Sequence, residues 1–155
     1  MIRASRKSLT VMVLAAGLCL AGGTVAAVNA KAVIAAREAN FKTFGKSMKA
    51  INDSLKSDAP DLAAIASNAA AIRGLAPKVV TWFPKGTGPE SGVKTEARAE
   101  IWTDGAGFAA AARRLEPEAA KLEALARAGD LTGVRAQVRV VGGTCKGCHD
   151  KFKAD

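Results

Sequence analysis

The spacing of apolar residues along this chain predicts four amphipathic helices. Beyond residue 30, apolar positions recur at intervals of three and four residues, the spacing that places side chains on one face of an α-helix. The segments with this spacing lie at residues 31–56, 60–80, 93–128 and 131–152. The alternation of Val and Ile that is typical of strands does not occur. Four helices with short connections, each with one apolar face, predict an all-α fold, an antiparallel four-helix bundle.

Turn and capping residues mark the connections between these segments. Residues 77–92 contain three prolines and three glycines, and they also hold Trp82 and Phe83, so we expect an ordered loop tucked in by two aromatic side chains. Pro117 is expected to bend or divide the third helix, because proline removes a hydrogen bond and clashes with the preceding turn. Gly129 and Asp130 predict the end of the third helix and the N-cap of the fourth.

The first 30 residues have the pattern of a secretory signal peptide. Three basic residues precede an apolar run at residues 9–21 that is too short to span a bilayer comfortably, and small residues follow it. We therefore predict a signal peptide at residues 1–30, a mature domain at residues 31–155 and a periplasmic location. Cys19 lies within the signal peptide and is expected to leave with it. Leu18 precedes it where a lipid-attachment motif has a small residue.

Charge and length point to one mildly basic domain. The chain of 155 residues has a formal charge of +9. Residues 1–30 contain three basic and no acidic residues, which leaves 20 Lys and Arg against 14 Asp and Glu, or +6, in the mature chain. No basic stripe with interleaved aromatic residues indicates nucleic acid as a partner, and no second apolar run is long enough to cross a membrane. The remaining ~125 residues suffice for one core.

The chemistry of the mature chain is concentrated in the pentapeptide CKGCH at residues 145–149. Cys145, Cys148 and His149 form C-x-x-C-H, the attachment motif of c-type haem, and His149 is the sole histidine of the chain. On a helix these three side chains share one face. Two thiols can bond to the two vinyl groups of one haem, while the imidazole ligates the iron. The motif predicts one covalent haem c per chain, attached through Cys145 and Cys148, with His149 as the axial iron ligand.

The cysteine pair has two other interpretations. A thioredoxin-like redox pair belongs at a strand-to-helix junction, and no sheet is predicted before Cys145. Half of a zinc site would need a second Cys or His pair, which the mature chain does not contain. A disulfide is a further possibility in an oxidising compartment. The adjoining histidine favours thioether bonds to haem.

Four segments of the mature chain have a recognisable sequence: REANF at residues 37–41, WFPKGTG at 82–88, EIW at 100–102 and VGGTCKGCHD at 141–150. With these segments the sequence resembles, over essentially the whole mature chain, the cytochrome c' family of four-helix-bundle c-type cytochromes. The position of the haem motif near the C-terminus is discriminating, because most c-type cytochromes carry it near the N-terminus. The resemblance also implies a homodimer with the first two helices at its interface.

The resemblance implies an iron with His149 on one side and an apolar residue on the other. The distal residue of the family lies four positions after an arginine of the first helix, which here gives Arg37 and then Phe41. Relatives with Met at that position are six-coordinate, low-spin electron carriers. Phe41 has no lone pair to offer, so a five-coordinate, high-spin haem is implied. Lys153 stands one turn after His149, where the family often has arginine, and it is either a proximal-side residue or a solvated lysine.

Arg37 interrupts the apolar stripe of the first predicted helix. An unpaired buried charge is costly, so a haem propionate is the expected partner of this side chain. The alternative places Arg37 at the edge of the stripe with its guanidinium in water.

The ligand set predicts a haem protein that binds NO and CO at the distal face by displacing Phe41, and the resemblance implies a role in NO buffering or resistance. Polar stabilisation of bound O₂ should be poor, because the one histidine is already used. The second hypothesis is a periplasmic electron-transfer cytochrome that docks redox partners near the haem edge. We do not expect an enzyme, because peroxide cleavage needs a polar distal acid or base.

Overall fold

The computed structural model describes residues 29–154, and the predicted signal peptide with Cys19 lies almost wholly outside that range. Six α-helices follow one another along the described chain. They are α1 (Ala30–Lys56), α2 (Leu62–Leu75), α3 (Glu100–Thr103), α4 (Gly105–Arg113), α5 (Leu115–Arg127) and α6 (Leu131–Phe152). Two 3-10 turns, Ala76–Trp82 and Pro89–Ser91, lie between α2 and α3.

Side-chain caps fix where the long helices begin. The Asn29 carboxamide oxygen accepts a hydrogen bond from the Ala32 N–H (3.1 Å), and Asp61 does the same for the Ala64 N–H (2.9 Å). Asp130 caps α6 by accepting from the Gly133 N–H (2.8 Å). The predicted boundary at Gly129 and Asp130 is confirmed, as are the first and fourth helices.

The second predicted helix was too long by a few residues. Its α-helical part ends at Leu75, and the chain continues as a 3-10 turn through Trp82. Pro77 stands at the second position of this turn, where its missing N–H is tolerated. Trp82 is the last residue of this turn and directly precedes the loop that leads to α3.

The predicted start of the third helix at residue 93 was wrong. The chain between Gly92 and Glu100 is not helical, and Ala97 forms an isolated antiparallel bridge with Lys153, directly after α6. The Arg98 N–H donates to the Phe152 carbonyl (3.1 Å), and the Ala154 N–H donates to the Glu96 carbonyl (2.7 Å). These two bonds give the Arg98 N–H and the Glu96 carbonyl partners outside any helix.

The third helix of the bundle is divided into α3, α4 and α5. The first break is at Asp104, whose carboxylate caps α4 by accepting from the Gly107 N–H (3.0 Å). The second is at Arg114, three residues before Pro117. Pro117 thereby falls in the first turn of α5, where backbone N–H groups have no partner within the helix. The predicted division is confirmed, and it lies upstream of the proline.

Packing of α1 on α2, α2 on α5 and α5 on α6 forms the antiparallel four-helix bundle that the sequence predicts, with α3–α5 as its third helix. The most deeply buried aliphatic side chains come from α1, α2, α5 and α6. They are Ile51, Ile65, Ile72, Leu122, Val134 and Val141. Between residues 29 and 154, no helix has the length and apolar character needed to cross a bilayer.

One buried carboxylate ties α2 to α5. Glu123 on α5 accepts from Arg73 Nε of α2 (2.8 Å) and pairs with Arg127 Nη2 one turn along its own helix (2.9 Å). Hydrogen bonds from Arg127 and Arg73 hold the pKa of this carboxyl below its usual range. The pair of arginines therefore keeps Glu123 ionised at the helix contact.

Candidate haem site

Helix α6 places the two cysteines and the histidine on successive turns of one face. Cys145 and Cys148 are half-buried free thiols that pack against the hydrophobic core. Burial raises the pKa of the Cys145 thiol, and burial with the neighbouring Cys145 sulfur raises that of Cys148. Both thiols lie between the apolar interior and the surface, which is where a group with an apolar body could be attached through two sulfurs.

His149 follows directly and is exposed at the end of the bundle. The pKa of its imidazole is lowered, first by partial burial of the ring and then by the charge of Lys153, while Asp150 and Glu96 act in the opposite direction. A lowered pKa favours the neutral ring, which is the form that ligates a metal. A shallow pocket of about 310 Å³ adjoins the ring, lined by Arg98, His149, Asp150, Lys153 and Ala154.

Lys153 has a partner in the structure. Its Nζ lies 3.1 Å from Glu96 Oε2, and its backbone pairs with Ala97 in the short antiparallel bridge. The two side chains are 43 % and 66 % exposed, so this ion pair lies at the surface. Both interpretations of Lys153, as a proximal-side residue or as a solvated lysine, stay predictions.

The Arg37 guanidinium is buried rather than at the edge of the stripe. The residue is 3 % exposed, and its two terminal nitrogens donate to Thr87 Oγ1 (3.1 Å) and Thr95 Oγ1 (2.6 Å). Its Cζ lies 4.7 Å from the centroid of the Phe83 ring. Burial lowers the pKa of Arg37, an effect that Glu38 and Glu90 oppose. Within residues 29–154 no carboxylate lies in ion-pair contact with it.

This environment bears on both interpretations of Arg37. The alternative in which the guanidinium reaches water does not fit a side chain that is almost wholly buried. A buried cation whose partners are neutral hydroxyls leaves its charge uncompensated and donors to spare, because guanidinium has five N–H groups. The site is thus suited to a further anionic partner, and the assignment of a propionate stays a prediction.

Phe41, one turn after Arg37, is half-buried among aromatic rings. Its ring centroid lies 5.4 Å from Trp82, 5.9 Å from Phe44 and 6.1 Å from Phe83. The Phe83 ring in turn contacts Trp102 and Phe108, with centroid distances of 6.0 and 4.9 Å. We call Phe41, Phe44, Trp82, Phe83, Trp102 and Phe108 the aromatic cluster.

The sequence-predicted site residues lie on two helices, and three of them pack against one apolar interior. Arg37 and Phe41 lie on α1, and the C-x-x-C-H residues lie on α6; Phe41, Cys145 and Cys148 all pack against the same hydrophobic core. Two free thiols, an imidazole, an apolar wall and a buried cation fit a c-type haem, whose macrocycle is apolar and whose propionates are anionic.

Sequence reasoning missed the two threonines that hold Arg37. Thr87 belongs to the segment WFPKGTG, which was singled out as a loop motif, but nothing in the local pattern indicated which side chain its hydroxyl would meet. Thr95 carried no signal, because residue 95 was predicted to lie in a helix. Both contacts join residues at least fifty positions apart.

Comparison with known proteins gives a consistent result. A family model described as Cytochrome C' matches residues 32–153. A cytochrome c' from Rhodospirillum rubrum is 36 % identical over 146 residues, which cover 93 % of this chain and 97 % of that protein. Among solved structures, a nitric oxide complex of a cytochrome c prime variant from Alcaligenes xylosoxidans has a TM-score of 0.71 at 29 % identity, covering 81 % of this chain and 97 % of that one.

A second solved structure bears on assembly. It is a cytochrome c' described as having an unusual ligand-controlled dimer dissociation. It is similar to this chain with a TM-score of 0.76 and 25 % identity, covering 84 % of this chain and 100 % of that one.

Proposed function

This chain belongs to the cytochrome c' family, and from that membership we propose that it is a periplasmic haem protein that binds nitric oxide and carbon monoxide on the Phe41 side of its iron. The family carries a c-type haem. In this proposal one haem per chain is held covalently by Cys145 and Cys148, with His149 as the axial ligand. The observation that carries the proposal is the half-buried Phe41 ring, enclosed by three aromatic rings one turn from a buried arginine.

Each residue of the site has a separate role in this function. When bound, the haem supplies an iron that takes up a small diatomic ligand. The imidazole of His149 would supply the nitrogen that ligates the iron. Arg37 offers positive charge to the propionates from a buried position. Phe41 has no lone pair to donate and keeps water away from the distal face, so an incoming ligand must displace its ring.

The apolar surroundings of Phe41 favour NO and CO over O₂. The three rings packed on Phe41 are Phe44, Trp82 and Phe83, and the one histidine of the chain lies on α6. Bound O₂ depends on polar stabilisation more than NO or CO does. The nitric oxide complex of the Alcaligenes protein supports the same choice of ligand. A role in NO buffering or resistance follows from this choice, and the lack of a polar distal acid or base speaks against enzymatic activity.

Export and assembly are further parts of the proposal. The signal-peptide pattern of residues 1–30 supports a periplasmic location for a mature chain of residues 31–155. The likeness to a cytochrome c' with ligand-controlled dimer dissociation supports a homodimer, which we place at α1 and α2. Light scattering of the purified protein tests the dimer directly.

Electron transfer is the second candidate function. It requires redox partners that dock near the haem edge, and it is usually served by a six-coordinate iron with a methionine ligand. Met48 is half-buried against the core and lies seven residues beyond Phe41 on α1, about 10 Å along the helix axis. This distance favours a packing role for Met48 and leaves Phe41 at the distal position.

Absorption spectra of the purified holoprotein, ferric and ferrous, with and without NO and CO, separate the two functions. Five-coordinate, high-spin spectra that change on addition of either gas support ligand binding. A low-spin spectrum with a methionine–iron charge-transfer band would favour the electron carrier. A mass without an added tetrapyrrole would overturn both functions.

A further inference from the structure

Two threonine hydroxyls hold the Arg37 guanidinium by both of its terminal nitrogens. Thr87 is wholly buried, and its hydroxyl donates to the Pro84 carbonyl (2.7 Å) while accepting from Arg37 Nη1 (3.1 Å). Thr95 accepts from Arg37 Nη2 (2.6 Å) and from the Ala97 N–H (3.1 Å). Because each hydroxyl is bonded on both sides, neither can turn without losing a hydrogen bond. The plane of the guanidinium is therefore fixed by the loop between α2 and α3.

The fixed guanidinium lies against Phe83, and Phe83 lies against Phe41. The Arg37 Cζ is 4.7 Å from the Phe83 centroid, and the Phe83 and Phe41 centroids are 6.1 Å apart. On its other sides Phe83 meets Phe108 at 4.9 Å and Trp102 at 6.0 Å. The Trp102 indole N–H also donates to the Phe83 carbonyl (3.1 Å). Phe83 is half-buried, and its ring can move away from Phe41 only if its contact with Arg37, Phe108 or Trp102 yields.

We propose that Thr87 and Thr95 are positioning residues for ligand entry: by fixing Arg37 against Phe83, they limit how far the Phe41 ring can swing aside. This inference rests on the proposed function, in which a ligand must displace Phe41. The neutral hydroxyls are suited to the role, since they hold the guanidinium in place and leave its charge for an anion. Loosening either threonine gives Phe83 room, and Phe41 then moves more readily.

Stopped-flow measurement of CO association with the ferrous holoprotein tests the proposal with matched pairs of variants. Thr87→Val keeps the shape and removes the hydroxyl, whereas Thr87→Ser keeps the hydroxyl. We expect Thr87→Val to speed CO association about fivefold, a factor that corresponds to one ordinary hydrogen bond, and Thr87→Ser to leave it unchanged. Thr95→Val and Thr95→Ser form a second pair at a half-buried position, which serves if the buried Thr87→Val chain does not fold.

Amide hydrogen exchange of residues 84–95 provides a readout that does not depend on the ligand. Exchange in this segment should rise in Thr87→Val and stay unchanged in Thr87→Ser. Valine variants that lower the melting temperature but leave CO association within a factor of about two would show a merely structural role and overturn the proposal.

A double-variant cycle with Phe41→Ala separates this inference from the proposed function. If Phe41 is the gate, Phe41→Ala speeds CO association, and adding Thr87→Val to it changes nothing further. If Phe41→Ala itself has no effect, the gate and the proposed function fail together. If Phe41→Ala speeds CO association and the valine variants do not, the positioning role alone is wrong.

Discussion

The side-chain rings of Phe41 and Trp82 pack edge to face, with their centroids 5.4 Å apart and an angle of 87° between their planes. Phe41 lies on α1, and Trp82 closes the 3-10 turn that follows α2. This geometry is a favourable one for aromatic pairs, whose edges are positive and whose faces are negative. The wall behind the predicted distal residue therefore comes from the connection between helices as well as from α1.

Replacing Phe41 by alanine should open the distal side. Loss of the ring removes the group that a ligand must displace, so CO association with the ferrous protein should become about tenfold faster, equivalent to ~1.4 kcal/mol of barrier. Flash photolysis or stopped-flow mixing measures this rate. Met48→Leu is a matched control, because Met48 is half-buried on the same helix two turns away. Unchanged CO and NO kinetics in Phe41→Ala would count against Phe41 as the gate.

Replacing Phe41 by methionine should change the coordination of the iron. A thioether at this position can donate a lone pair, so the ferric spectrum should shift towards six-coordinate and low-spin. Phe41→Leu is the control, because leucine has a similar bulk and no lone pair, and its spectrum should remain high-spin. Ferric absorption and electron paramagnetic resonance spectra record the shift. A methionine variant with the parent spectrum would place residue 41 away from the iron.

Variants of the C-x-x-C-H residues should distinguish covalent attachment of the haem from ligation of its iron. His149→Ala removes the axial ligand and leaves both thiols, so the haem-bearing mass should persist while the absorption spectrum changes. Cys145→Ala together with Cys148→Ala removes both attachment points, and the denatured chain should then lack the haem mass. Mass spectrometry and absorption spectra of the same preparations measure both effects. A normal spectrum in His149→Ala would contradict its assignment as the axial ligand.

The parts of the fold that follow from local pattern were predictable, and the parts that depend on distant contacts were not. Helices α1 and α6 follow from apolar stripes and from caps such as Asp130, which are properties of neighbouring residues. Residues 93–99 were predicted to be helical, yet they are not, and the Arg98 N–H donates to the Phe152 carbonyl at the end of α6. That partner lies more than fifty residues away along the chain.

The candidate site, too, could be predicted from the sequence only in the parts that depend on neighbouring residues. The haem-attachment residues are contiguous, so their spacing alone indicates their chemistry. The burial of Arg37 was anticipated from its place on an apolar stripe, because a charge there needs partners. Its actual partners, Thr87 and Thr95, come from a loop whose path depends on the packing of Phe83 and Trp102. No local pattern specifies such a path.

Glu123→Gln should destabilise the bundle at neutral pH and much less in acid. Its hydrogen bonds to Arg127 and Arg73 lower the pKa of the folded protein's carboxyl below that of the unfolded chain. Stability from this group is therefore fully present above the unfolded pKa of about 4.3 and is lost as the pH falls through the folded value. Because both arginines are half-exposed or more, we expect a loss of about 1 kcal/mol at pH 7.

Urea unfolding of the parent and Glu123→Gln holoproteins at several pH values measures this difference. Glu116→Gln is the control, because Glu116 is exposed on the same helix. The stability gap between Glu123→Gln and the parent should narrow as the pH falls below about 4. A gap that stayed constant with pH would show that the ionised carboxylate is not the stabilising form.

Gly129→Ala should destabilise the junction between α5 and α6 through the backbone alone. Gly129 has a φ of 77°, a left-handed conformation that ends α5, and a Cβ built there meets no atom within 4 Å. The expected loss of unfolding free energy is about 1 kcal/mol, the cost of placing a side chain in that conformation. Gly74→Ala is the matched comparison with an effect of opposite sign, because Gly74 lies in α2 with equally open space around it. It should stabilise the protein by about 0.5–1 kcal/mol through helix propensity. Urea unfolding of the two variants beside the parent gives both signs, and a neutral Gly129→Ala would show that the α5–α6 junction accommodates a different turn.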